Sequence, residues 1–127
     1  MRNIENRRDI ELLLNRFYTK VFKDDLISHF FTEVVPLNLK THIPVIADFW
    51  ESVLLDSKGY RKNVMEVHMN ISQKSKIEKP HLDRWVLLFT ETVDELFEGP
   101  RAIVAKQRAA SIATMMNIKI NHPNPLK

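Results

Sequence analysis

An all-α fold is predicted by three observations. Glycine occurs only twice in 127 residues, at Gly59 and Gly99. Runs of alternating polar and apolar residues closed by turn signals, the mark of strands, are missing. Apolar residues recur instead at steps of three and four, the spacing that puts them on one face of a helix. The chain is the size of one domain and can bury a sizeable apolar core. A single domain is expected over residues 1–127, with 117–127 as a flexible tail because NHPNPLK carries two prolines.

The first helix is predicted in DIELLLNRFYTKVFKDD, where Ile10, Leu13, Leu14, Phe17 and Val21 form the stripe and Asp9 can cap the start. Tyr18 sits beside that stripe and points to the same interior. Leu26 to Phe31 read as a short helical turn or loop. Asn38 to Leu55 read as a second helix, with His42, Ile46, Phe49 and Val53 on one face. Pro44 belongs in a first turn, which places the start near Thr41. A polar connection, Asp56 to Asn63, leads to a very short helix carrying Val64, Val67 and His68. After a loop ended by Pro80, His81 to Phe97 form a long helix with Leu82, Trp85, Phe89, Val93 and Leu96 along its stripe. Gly99-Pro100 separates it from a last helix through Ile103, Ala110, Ala113 and Met116.

Composition narrows the chemistry. Hydrophobic residues make up 44% and charged residues 28%, ordinary for a soluble globular chain. With no cysteine there is no disulfide framework, thiolate metal site, cysteine nucleophile or covalent haem attachment through C-x-x-C-H. The net charge of +3 is spread among acids rather than gathered in a stripe, so nucleic-acid binding is not indicated. The opening residues MRNIENRRDI carry no signal peptide or membrane span, which points to a cytoplasmic chain without membrane insertion. Serine nucleophile motifs and glycine-rich phosphate loops are absent. No two of the five histidines, His29, His42, His68, His81 and His122, stand at i and i+3 or i+4, so one helix offers no chelating pair.

Two histidines lie on apolar faces, His42 and His68. Each alone reads as a packed or boundary histidine. Together, on helices facing across a gap, they could flank a flat apolar cofactor, one imidazole ligating its metal and the other facing the open side. Haem fits such a gap, since its rim is apolar and its iron takes a nitrogen ligand. Tyr18, Phe31, Phe49 and Trp85 lie on or near inward faces. Plain packing explains each aromatic ring, but buried Tyr and Trp also need partners for O–H and N–H.

Four stretches in order, RFYTKVFKDD, HIPVIADFWESVLL, YRKNVMEVH and HLDRWVLLFTETVDELF, resemble the truncated haemoglobins, specifically group III, from about Asp9 to Asn117. The resemblance implies a truncated globin fold, a two-over-two helical sandwich around haem b, with the short helix at His68 as the reduced proximal helix. It implies His68 as the proximal iron ligand and Tyr18, His42 and Trp85 as the distal ligand-binding group. Phe31 would pack on the haem face, its neighbour Phe30 being the alternative one residue away. Ile46 and Phe49 would line the pocket. Val64 stands where the group often has proline and Leu82 where phenylalanine is common; neither touches an implied ligand. The implied function is binding of dioxygen or another diatomic ligand at a five-coordinate or reversibly six-coordinate iron, as in oxygen transport, by a monomeric globin. The alternative is a haem enzyme for nitric oxide dioxygenation or peroxide chemistry, which would need a separate reductase because the chain has no flavin or nicotinamide domain.

Overall fold

The computed structural model describes residues 1–30, 39–55 and 77–121. The short helix expected at Val64 to His68 lies outside them, as do Phe31, His122 and most of the tail.

Four helices carry the described residues: α1, Arg7–Lys23; α2, Leu39–Leu54; α3, Lys79–Leu96; and α4, Pro100–Asn121. The helix α1 packs on α2 and α3, and α4 packs on α3 and α2, which makes a sandwich of two helices over two. Its core is mainly apolar: Ile10, Leu13, Leu14, Phe17, Phe89, Val93 and Met116 are all buried. Filling such a core removes apolar area from water at about 25 cal/mol per Å².

Each helix starts and stops for local reasons. At α1 the cap is Asn6, whose side chain accepts from the Asp9 amide, and not Asp9 itself. Asp9 stands a turn further on, buried, where it accepts from the Glu5 amide at 2.9 Å and pairs with Arg2. A carboxylate there also suits the positive end of the helix dipole.

The helix α2 begins earlier than expected, at Leu39, which leaves Pro44 in the helix interior. Proline has no N–H to return to the carbonyl four residues back, so the ladder is interrupted just after His42. The face through His42, Ile46, Phe49 and Val53 is also not the main core face. Ile43, Ala47, Trp50 and Leu54, one position over, are the buried set, while His42, Phe49 and Val53 are half-buried. Thus α2 has two adjacent apolar stripes, one against the core and one beside it.

The start of α3 is a reciprocal cap. The Glu78 side chain accepts from the backbone at His81, and His81 Nδ1 accepts from the Glu78 amide at 2.9 Å. The inner face of α3 includes Thr92, fully buried, whose hydroxyl donates to the Leu88 carbonyl at 2.6 Å. Gly99 then turns the chain into α4 at φ +118°, a conformation side chains rarely adopt. The buried stripe of α4 runs through Ala102, Ala105, Ala109, Ala113 and Met116; Ile103 and Ala110 point outward, so the expected stripe is out of phase in its first half.

Residues 1–6 lace the corner between α3 and α4. Ile4 is fully buried, the Glu98 amide donates to the Arg2 carbonyl at 3.0 Å, and the Arg101 amide donates to Asn3 Oδ1 at 3.0 Å. Arg101 Nη1 also donates to the Ile4 carbonyl at 3.1 Å. No helix of the described residues is long and apolar enough to cross a membrane.

Candidate distal ligand site

The site begins with one turn of α1. Phe17 and Tyr18 are adjacent, so their rings diverge by the helical 100° per residue. Phe17 is buried edge-on against Trp85 and Phe89, with ring centroids 5.9 and 5.3 Å away. Tyr18 turns toward α2, where its hydroxyl and His42 Nε2 lie 2.8 Å apart. The two rings meet edge to face at 5.2 Å. This bond joins two helices through the side chains of residues 24 apart in sequence.

Trp85 enters from α3, stacked on Phe89 at 6.0 Å, and Phe89 in turn stacks on Trp50 of α2 at 5.0 Å. Leu14, Phe17, Tyr18, Ile46, Phe49, Trp50, Trp85, Phe89 and Ile112 together enclose a cavity of about 20 Å³. That is room for one water-sized guest. Every helix of the sandwich contributes to its wall.

Burial decides the electrostatics. Tyr18 is nearly inaccessible, and loss of solvent pushes its hydroxyl well above the ordinary phenol value, so it stays protonated. A neutral O–H in an apolar setting is a strong directional donor. His42 is half-buried, with Pro44 two residues on. If His42 carries its proton on Nε2, it donates to the Tyr18 oxygen; in the other tautomer it accepts from Tyr18.

Of the residues singled out from sequence, the structure brings Tyr18, Ile46, Phe49 and Trp85 together around this cavity and sets His42 behind them, against the Tyr18 hydroxyl. His68 and Phe31 lie outside the described residues. Phe30, the neighbour of Phe31, is buried and packs against His29 at 4.1 Å and His81 at 4.9 Å. Sequence reasoning missed Leu14, Phe17, Trp50, Phe89 and Ile112 as lining residues, three of which it placed only on the core stripes of their helices. Trp50 sits on the second stripe of α2, and only the rotation of that helix reveals it.

A haem does not fit inside 20 Å³, but the side chains present suit its surroundings. Phe49, Val53 and Trp85 are half-buried apolar surface, and the buried hydroxyl of Tyr18 supplies polarity beside it. Among the described residues no group of three or more His, Cys, Asp or Glu side chains converges as a metal site.

The helix order, the two-over-two packing and the cavity between all four helices define a truncated globin fold, and the chain has that fold. In structure the chain is similar to the group III truncated haemoglobin from Campylobacter jejuni, with a TM-score of 0.79, 24% sequence identity, and coverage of 94% of this chain and 95% of that one. No family model matches the chain, and no curated protein does.

Proposed function

We propose that the chain is a haem protein that binds dioxygen or another diatomic ligand on the side of the cofactor lined by Tyr18, His42 and Trp85. The observation that carries this reading is the 2.8 Å contact between His42 and the hydroxyl of Tyr18, a buried residue that lines a cavity sized for one small guest. A core built only for stability gains little from such a pair, because desolvating two polar groups offsets most of what their hydrogen bond returns.

In this reading His68 ligates the iron of haem b, and Phe31 packs against the macrocycle. Ile46 and Phe49 form apolar wall and keep water out. Haem, when bound, supplies the iron that takes the diatomic ligand. His42 donates from Nε2 to the Tyr18 oxygen and so fixes the rotation of that hydroxyl. The Tyr18 O–H then points its proton at the guest, and the Trp85 N–H is the second donor. Two donors aimed at partial negative charge retain a ligand that water or an apolar wall would release.

The test is an absorption spectrum of the chain with added haem, beside a His68→Ala variant. A strong haem band that shifts under carbon monoxide in the parent, and is lost or altered in the variant, supports the reading. No haem uptake by the parent, or an identical spectrum in the variant, overturns it.

A further inference from the structure

The strongest unexplained cluster outside the cavity surrounds Arg7, the first residue of α1. Its guanidinium spends all three nitrogens. Nη2 donates to the Pro44 carbonyl at 3.0 Å, Nη1 reaches Asp48 Oδ1 at 2.5 Å and Glu51 Oε2 at 3.4 Å, and Nε donates to Glu11 at 3.3 Å. Pro44, Asp48 and Glu51 are spaced by four and three residues, so Arg7 runs along one face of α2 for two turns. Glu11 holds the same guanidinium on α1.

Arg7 meets residues 44 to 51, and Tyr18, three turns further along α1, meets His42. Beside these ties lies an open groove of about 280 Å³ lined by Glu11, Asn15, Lys40, Ile43 and Pro44. Besides its apolar packing, the α1–α2 seam is therefore tied by polar side chains at two points, with the groove alongside them. The interior proline stands two residues after His42, and its carbonyl is the first point on α2 that Arg7 holds. The first turn of α2, which carries His42, is joined to the rest through a weakened ladder.

We infer that Arg7 is a positioning residue: by gripping α2 at Pro44, Asp48 and Glu51 it sets the register in which His42 meets Tyr18. Only arginine has the planar fork of donors to hold a carbonyl and three carboxylates at once; a lysine supplies one point charge. A single exposed ion pair stabilises little, so the role lies in geometry and not in overall stability. The inference rests on the ligand-facing reading of the Tyr18–His42 pair for its meaning, but its test reads the pair itself and needs no haem.

The test is residue-resolved modification of histidines by diethyl pyrocarbonate, followed by mass spectrometry on the full chain. Tyr18 shields His42 Nε2 while their bond holds. In Arg7→Ala the modification rate of His42 is expected to rise about fivefold, the effect of losing a modest ion-pair network. Rates at His29 and His81, which lie at the far end of the sandwich against Phe30, are expected to stay unchanged. In a Tyr18→Phe background the same substitution should add much less, because the bond it protects is already gone. An unchanged His42 rate in Arg7→Ala overturns the inference, and so does a rise shared equally by all histidines. Should Arg7→Ala fail to fold, Asp48→Asn removes one acceptor and is read by the same criteria, with a rise of about twofold expected. A chain that passes this test and takes up no haem would keep the inference about register while losing the proposed function.

Discussion

The Tyr18 hydroxyl is a constrained polar group of a residue in the cavity wall. Burial keeps it protonated, and His42 lies within hydrogen-bond distance. Tyr18→Phe deletes one oxygen and leaves the ring packing with Phe17 in place. With haem bound, the dissociation rate of dioxygen should rise by about 2- to 10-fold, the worth of one net hydrogen bond. Stopped-flow displacement by carbon monoxide measures it, and an unchanged rate would remove Tyr18 from the donor role. Tyr18, His42 and Trp85 stood out in the sequence as polar-tipped side chains on otherwise apolar stripes, and the resemblance to group III truncated haemoglobins is what implied a shared role for them. Asp9 misled for the opposite reason. Asn6 and Asp9 are both good caps, and the choice between them depended on Arg2, which claims the Asp9 carboxylate through a tertiary ion pair.

At the scale of elements, helix type and order were readable, but the rotation of each helix was less so. In α2 the stripes His42-Ile46-Phe49-Val53 and Ile43-Ala47-Trp50-Leu54 are nearly equal in apolar character, and periodicity cannot say which one meets the core. The same ambiguity shifted α4, where alanines rather than large residues form the buried stripe because α3 approaches closely. The corner at Gly99 is less ambiguous. A Cβ there would stand 3.1 Å from the Asn3 side chain on a backbone already at φ +118°. Gly99→Ala should lower the unfolding free energy by about 1–3 kcal/mol, the cost of a strained backbone position, as a lower urea midpoint with an unchanged slope. An unchanged midpoint would mean the corner relaxes freely.

For the whole molecule, two buried carboxylates set the response to acid. Asp24 is desolvated, which would raise its value, but the Arg84 Nε–H at 2.6 Å and the amides of Leu26 and Ile27 outweigh this and hold it below the ordinary 3.8. Asp9 is held below 3.8 chiefly by its bond to Arg2. Both groups bind protons less readily when folded than when unfolded. Their contribution is therefore complete above the unfolded value and is lost as pH falls through the folded one. Urea midpoints should be level near neutrality and drop steeply below about pH 4. The gap between the parent and Arg84→Met should close as pH falls; a gap independent of pH would show that Asp24 does not depend on that arginine. The Arg84–Asp24 tie could not be read from sequence, since the two are 60 residues apart and pair only once α3 lies against the end of α1.

The stacked rings of Trp50, Phe89 and Trp85 give the molecule an optical property as well as a wall. The chain contains two tryptophans, and both line the same small cavity. Its ultraviolet emission therefore originates almost entirely at the site. Any guest that quenches, polarises or displaces that stack changes the light the whole protein emits, so the fold carries its own gauge of occupancy without an attached dye.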